Sequence, residues 1–414
     1  VDRVDVLVVG AGPAGSTLAG ELARRGHSVR IVEEHPGVGH PVQCAGLVSD
    51  RVLELAGHPN VVRRPVRGAT VFGPSLGRVQ FDAPVPKAFV IDRAGLDIAL
   101  ADRATRAGAT LTSGVKFDGL ARSPSGLPIA RLVRGSGAPE EVEARVIVGA
   151  DGVASAVARA LRIRRPVEIL PAYEVEFSES PGDPDQVEVY LGNSISPGLF
   201  GWWIPDGAGG ARVGVAVSAG PTTAKSYYDR LVAVLARRFG APLRGPTKVL
   251  VSGIPIGLLA RTVTDRGLLV GDAAAQVKPL SGGGIFTGMR CAGLAAETID
   301  AALRTDDLRA RALGAYDRAW REELGSEFER ALYLRRVMVR LKDPDLDRII
   351  TALDAAELKG AIVAFGDIDF PSRLARQLFL RSPSLVRYFP QALGALWGSS
   401  AAVAPDLEPG PHRK

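Results

Sequence analysis

Residues 4–33 read VDVLVVGAGPAGSTLAGELARRGHSVRIVE: an apolar run, a glycine-rich turn, a helical stretch and a second apolar run. A continuous apolar strand near Val4–Val9, a helix to about Arg25 and a strand near Val29–Glu33 form a parallel βαβ unit, because strands covered on both faces carry no polar alternation. Gly10, Gly12 and Gly15 fit G-x-G-x-x-G between strand and helix. Those glycines, with Ala14 between them, permit a tight turn and close backbone approach to a pyrophosphate, which the positive end of the helix attracts. Glu33 ends the second strand 18 residues after Gly15, where a carboxylate can accept hydrogen bonds from both hydroxyls of an adenosine ribose. A dinucleotide is therefore expected, either NAD or FAD.

The choice between them falls on residues 267–293, GLLVGDAAAQVKPLSGGGIFTGMRCAG. Here a buried strand delivers Gly271-Asp272, and a proline- and glycine-rich loop feeds a helix beginning near Gly284. Asp272 can hold a ribityl hydroxyl, and the helix N-terminus can stabilise negative charge on a reduced flavin. A nicotinamide needs neither, so FAD is expected.

With 414 residues and 46% apolar content, the chain is long for one domain. A helical pattern from Arg93 to Ala107 has Asp92 at its N-cap, and strands are expected near Leu111–Phe117, Ile129–Arg134 and Val142–Val148. Between 166 and 256, alternating stretches such as VEVYLG and ARVGVAVSAG indicate a mostly antiparallel sheet. The expected architecture is α/β: a discontinuous Rossmann-type FAD-binding domain (1–65, 92–165 and 257–305) with an inserted antiparallel sheet for substrate (66–91 and 166–256). A helical region (306–400) and a disordered tail (401–414) complete it.

Cys44 and Cys291, the only two cysteines, follow no disulfide or zinc spacing, so no metal is expected and a reducing, cytoplasmic setting is the default. No apolar run is long enough to span a bilayer. Net charge +6 suits an anionic partner such as an acidic membrane surface, but no recognition motif accompanies it and nucleic acid is not expected. Residues 371–397 carry Arg373, Arg376, Arg381 and Arg387, no acidic residue, and interleaved Leu374, Leu378, Phe379, Leu385, Tyr388 and Phe389. That segment reads either as a peripheral contact with the inner face of the membrane or as a helical lid with a solvated face.

The order of the glycine fingerprint, the Arg93 helix start, Val148-Gly149-Ala150-Asp151-Gly152 and Gly271-Asp272 resembles the FAD-dependent hydroxylase-like flavoproteins. Within them, PVQCAGLVS (41–49), PGLFGWWIP (197–205) and KPLSGGGI (278–285) resemble the geranylgeranyl reductase family, in particular its archaeal lipid branch. The middle stretch departs from that family's P-x-x-Y-x-W-x-F-P pattern, with Phe200 in the tyrosine place and Ile204 in the phenylalanine place. The resemblance implies reduction of C=C bonds in geranylgeranyl chains of ether glycerophospholipids, with hydride supplied by reduced flavin. The electron donor would be ferredoxin, NADPH or another reductant.

The same resemblance sets Cys44, Ala45 and Leu47 against the flavin, Arg93 along its phosphate and ribityl region, the backbone near Phe117 at the adenine, and Gly284 and Ile285 at the flavin end. Cys44 would shape the flavin pocket or relay a proton. Because an isolated alkene offers no polar handle, binding calls for an apolar tunnel with aromatic walls. Phe200, Trp202 and Trp203 would supply such walls; packing between sheet and FAD domain is the other reading of the tryptophan pair. Rival readings are a flavin-dependent monooxygenase or halogenase, for which Lys87 does not stand clearly in the place of the halogenase lysine, a reductase of a prenylated quinone, and a non-catalytic flavin-containing lipid carrier.

Overall fold

The run DRVDVLVV forms the central strand of the first sheet because its inner half has no exposed face: Val6, Leu7 and Val8 are wholly buried. A computed structural model describes residues 2–124, 126–165 and 167–388. In it Asp2–Val9 lies between the parallel strands Glu140–Gly149 and Val29–Glu33, and the sheet continues to Gly267–Leu269 on one side and Thr110–Ser113 on the other. Val9, Val32, Gly149 and Leu269 stand at matching register, so the carboxyl ends of four strands open along one edge. Ligands of open α/β sheets bind along such an edge.

The helix Pro13–Arg24 packs against the long helix Ile285–Thr305, and both bury small and aliphatic residues in one core with the sheet, including Leu18, Leu22, Ala295 and Ile299. Expected and observed boundaries differ by a few residues at most ends. One difference is larger: the expected strand Leu111–Phe117 is two, Thr110–Ser113 and Lys116–Arg122. Gly114 between them has φ +70°, a turn conformation that a continuing strand cannot contain. The second piece leaves the parallel sheet and forms an antiparallel ladder with Pro128–Val133, which pairs in turn with Glu140–Gly149.

A seven-stranded sheet carries the rest of the body, in the order Arg244–Ile256, Glu168–Glu179, Ala211–Ala216, Phe200–Pro205, Gln186–Tyr190, Gly68–Phe72, Arg78–Asp82. It is antiparallel except where Gln186–Tyr190 runs parallel to Gly68–Phe72. Residues 66–91 do not enter it whole. Ala88–Ile91 pairs on one side with Val62–Val66 and on the other with Leu47–Val48 in a separate three-stranded sheet, which connects the loop after Glu33 to the start of the Arg93 helix.

Each face of the large sheet has its own partner. One packs on the helix Ala224–Phe239 through Val213, Val215, Trp203, Tyr228, Leu231 and Leu235. The other looks toward the first domain and carries Phe200, Trp202, Ile204 and Arg212. The helices Ala310–Trp320, Ser326–Met338, Asp343–Leu353, Ala356–Phe365 and Pro371–Arg381 follow. The expected tail 401–414, the end of the helical region, and Phe389 lie outside the described residues. Leu231, fully buried between helix and sheet, provides a test of this packing: Leu231→Ala is expected to lower unfolding free energy in urea by about 2–5 kcal/mol without altering visible flavin absorbance.

Candidate functional site

The crevice at the carboxyl edge is built from two helix N-termini brought together by small residues. A Cβ at Gly271 would lie 3.0 Å from Ala14 Cβ, and one at Gly288 would lie 3.6 Å from it. Larger side chains at these three positions would push the helices Pro13–Arg24 and Ile285–Thr305 apart. A Cβ at Gly15 would overlap the Gly10 carbonyl, which holds helix against strand, whereas one at Gly12 would meet nothing within 4 Å. Neither helix start is capped by a side chain. Their backbone N–H groups are thus left for a ligand, and the open space at Gly12 adjoins the first set.

Glu33 is organised at the end of its strand. Its Oε2 accepts from the Ala11 N–H at 2.9 Å, and Oε1 accepts from the His35 N–H at 3.0 Å with His35 Nδ1 at 2.6 Å. The Val115 N–H donates to the Glu33 carbonyl at 2.8 Å, bringing the chain that leads to Phe117 beside the same strand end. Phe117's own ring turns inward and is buried with Val115 and Leu132, so only backbone of this segment faces the crevice.

Asp272 stands before the second helix N-terminus, with its Oδ1 2.8 Å from where a Cβ of Gly284 would be. Burial pushes its carboxyl up to about 6, against the pull of the Arg93 and Arg165 charges. Its loop is fixed from behind: the Gly271 N–H donates to Gln276 Oε1 at 2.8 Å, Gln276 Nε2 donates to the Tyr316 hydroxyl at 2.7 Å, and that hydroxyl donates to the Leu269 carbonyl at 3.1 Å. Ile285 follows Gly284 in the first turn, half-buried against the main core.

Arg93 is the first residue of its helix, whose N-cap Asp92 accepts from the Gly95 N–H at 3.0 Å. Its guanidinium is enclosed and paired with Asp97 one turn on, with Cys44 beside it. Nε has no acceptor within the protein. Arg93 is therefore not a solvated charge at a helix start. Cys44 Sγ accepts from the Gly46 N–H at 3.4 Å. Cys291 is wholly buried in the long helix, as a packed apolar residue.

A buried arginine that the sequence did not single out joins the crevice to the large sheet. Arg212 donates to the Ala45 carbonyl at 2.6 Å and to the Ile91 carbonyl at 3.1 Å, with Glu176 at 3.7 Å. It thereby presses the Cys44–Leu47 loop onto the sheet face. Ala45, Leu47, Trp202, Val187, Ile204, Val66 and Val90 form one apolar cluster there, joined by Ile368 from the C-terminal region. Phe200 stands edge-on to Trp202 at 6.2 Å.

Trp203 does not belong to this wall. Adjacent residues of a strand point to opposite faces, and Trp203 is buried under Phe239 of the Ala224–Phe239 helix with its indole N–H on Ser180 Oγ at 2.7 Å. The expectation of a paired tryptophan wall is corrected: Phe200 and Trp202 share this face, whereas Trp203 packs under the helix Ala224–Phe239 rather than between the sheet and the FAD domain. Lys87, the lysine weighed for the halogenase reading, has an exposed side chain.

A second buried charge group closes the wall from behind. Lys278, in the loop before Gly284, donates to the Ile368 carbonyl at 2.7 Å and to Asp369 Oδ1 at 2.8 Å, while Arg51 pairs with Asp367 and Asp369 at 2.9 and 3.2 Å. No sequence signal marks this group, since its members come from three distant segments. Among the described residues no cluster of side chains could hold a metal ion.

The residues present fit a flavin dinucleotide: two uncapped helix starts in one crevice, the space at Gly12, a carboxylate, Glu33, at the end of the second strand and the unpartnered Arg93 Nε are each accounted for by it. The family profile described as FAD binding domain matches residues 3–321, and fold and site together define a flavoprotein of that class. Digeranylgeranylglycerophospholipid reductase 2 of Methanothermobacter thermautotrophicus is 35% identical over 366 residues, 86% of this chain and 93% of that protein. The digeranylgeranylglycerophospholipid reductase of Methanocaldococcus jannaschii is 30% identical over 402 residues, 95% and 99% of the two chains. The chain belongs to the digeranylgeranylglycerophospholipid reductase family.

Among solved structures, a geranylgeranyl bacteriochlorophyll reductase-like protein from Thermoplasma acidophilum superposes with TM-score 0.84 at 24% identity, covering 94% of this chain and 99% of that one. The flavin-dependent halogenase CmlS reaches 0.67 at 21% identity, covering 94% and 78%. Both show the fold.

Two substitutions test the crevice. Gly15→Val is expected to abolish FAD retention, read from visible absorbance of the purified protein. Arg93→Met leaves Asp97 buried and unpaired, and should cost about 3–5 kcal/mol of stability, most of which a second change, Asp97→Leu, restores. If the double variant is no more stable than the single one in urea unfolding, the loss does not come from an orphaned buried charge.

Proposed function

We propose that this protein is an FAD-dependent reductase that saturates the C=C bonds of geranylgeranyl chains on archaeal-type ether glycerophospholipids. The observation that carries the reading is the apolar wall of Ala45, Leu47, Trp202, Val187 and Ile204, pressed by Arg212 against the loop that leads to the flavin crevice. Its place beside a redox cofactor, rather than in a distant core, supports a substrate that is apolar at its reacting atoms. The names of the relatives supply the lipid class.

Bound FAD, once reduced by an external reductant of the ferredoxin or NADPH kind, supplies hydride. The chain's own residues hold it and exclude water. Gly10, Gly12, Ala14 and Gly15 with the first helix N-terminus take the pyrophosphate, Glu33 the adenosine ribose, and the backbone before Phe117 the adenine. Arg93 and Asp272 take the ribityl and phosphate stretch, while the N-terminus at Gly284 and Ile285 faces the flavin edge that carries charge after reduction. Cys44, turned toward Arg93, shapes the near wall with Ala45 and Leu47. Phe200 and Trp202 hold the prenyl chain by contact area alone, since a trisubstituted alkene has no hydrogen-bonding group.

The lipid reaches this site from a membrane surface. Among the described residues no helix is long and apolar enough to cross a membrane. The helix Pro371–Arg381 sets Leu380, 54% exposed, beside Arg373 and Arg376, and Phe365, 41% exposed, lies under Arg381. Exposed apolar residues among arginines suit the headgroup boundary of an anionic bilayer. Phe379 and Leu385 are instead buried, so this helix is anchored to the body as well.

Anaerobic incubation of dithionite-reduced protein with an unsaturated digeranylgeranylglycerophospholipid should raise the lipid mass by two hydrogens per bond, read by mass spectrometry. Oxygen-dependent turnover of an aromatic compound, with no change in the lipid, would favour the monooxygenase or halogenase reading. Separately, the protein should co-sediment with anionic liposomes at low salt and be released at high salt; Leu380→Glu should weaken this, and recovery of all protein in the supernatant would remove the membrane contact.

A further inference from the structure

Saturating an isolated double bond requires a proton as well as a hydride, and the apolar wall that binds the chain also excludes water. A protonated group on that wall is therefore needed. Trp202 leads to one. It pairs across the sheet with Gly214, which pairs on its other side with Glu174. A Cβ at Gly214 would overlap the Trp202 ring; the glycine lets the indole lie flat across the strand and reach Glu174, where its N–H donates to Oε2 at 2.6 Å. Glu174 is 4% exposed, and its second oxygen, Oε1, is buried with no hydrogen-bond partner.

An ionised carboxylate with one bare, buried oxygen is strongly disfavoured, whereas a carboxylic acid placed there carries a proton it can give. The neighbouring charges do not change this. Arg212 is committed to the Ala45 and Ile91 carbonyls and faces Glu176; it and Lys248 favour the ionised form, and Glu176 opposes it. Burial outweighs them and pushes Glu174 up to about 7, where an acid is half loaded at neutral pH. Cys44, the other candidate with an exchangeable proton, lies beside Arg93 and accepts from the Gly46 N–H, on the flavin-side loop rather than on the Trp202 strand.

We propose that Glu174, held by the Trp202 indole, is the proton donor to the alkene in the reduction proposed above, on which this role rests. One alkene carbon receives hydride and forms a C–H bond with its electron pair. The π bond breaks, and its electrons form the second C–H bond with the proton of Glu174 Oε1. The O–H pair stays on oxygen, leaving a carboxylate that solvent reprotonates before the next turnover. Trp202 thus has two functions, as a wall for the chain and as the group that aims the acid.

The test uses Glu174→Gln, which keeps an acceptor for the indole, and Trp202→Phe, which removes the indole donor. In protein stripped of FAD, infrared spectra should show the C=O stretch of a protonated carboxylic acid that fades as pH rises through about 7 and is missing in Glu174→Gln. In the holoenzyme, reduced with dithionite and given an unsaturated digeranylgeranylglycerophospholipid in detergent, single-turnover saturation by Glu174→Gln should fall by about 10²-fold or more, with flavin content and flavin reduction unchanged. The wild-type rate should fall as pH rises through about 7. Loss of the indole hydrogen bond raises Glu174 further, so the falling limb should move to higher pH in Trp202→Phe, a shift that a packing role would not produce. Saturation by Glu174→Gln within about threefold of wild type, less than general acid catalysis contributes, or an unchanged infrared band, overturns the assignment while leaving the reductase reading in place. Failure of the wild type to saturate the lipid overturns that reading, and the role of Glu174 with it.

Discussion

Arg212 is the contact on which the two halves of the site depend. It rises from the middle of the large sheet, is 4% exposed, and spends its donors on two backbone carbonyls of the first domain, at Ala45 and Ile91. Both carbonyls lie next to chemistry: Ala45 follows Cys44, and Ile91 precedes the Asp92 cap and Arg93. A buried guanidinium without acceptors costs several kcal/mol, so the sheet and the crevice are held in one relative position, and Gly46 leaves the room the guanidinium needs. Register between flavin-side loop and aromatic wall is thus set by one side chain rather than by area alone.

The same economy of polar groups recurs around the wall. Lys278 and Arg51 gather Asp367, Ile368 and Asp369 behind it, which is why a residue from the C-terminal region reaches an apolar cluster otherwise made of sheet and loop. Gln276 and Tyr316 fix the turn that presents Asp272. In each case a buried polar group is satisfied by backbone or by an opposite charge. Arg93 Nε and Glu174 Oε1 are among the buried atoms left without a partner, and these two stand where cofactor and alkene are proposed to lie.

Much of the first domain was legible in the chain because its signals are local. The glycine spacing, the apolar run before it and Glu33 after it are read within one βαβ unit, and helix capping at Asp92 needs only four residues. The wall was legible only in part. PGLFGWWIP announces an aromatic strand, but strand periodicity already sends Trp202 and Trp203 to opposite faces, and choosing which one faces the first domain requires knowing what covers each face. Glu174 gave no signal: in AYEVEFSE the alternating glutamates read as a solvated edge, and only the neighbouring strands bury the first of them.

By itself, then, the sequence determined a dinucleotide fold, a flavin rather than a nicotinamide, and the family to which the chain belongs, since each follows from residues close in the chain whose backbone geometry is nearly independent of the rest. Tertiary structure alone decided which tryptophan lines the wall, that Cys44 turns to Arg93, and that Glu174 is enclosed beside Trp202. Those outcomes depend on burial and on contacts between segments tens to hundreds of residues apart, which shift a carboxyl's proton affinity in ways that no local pattern records.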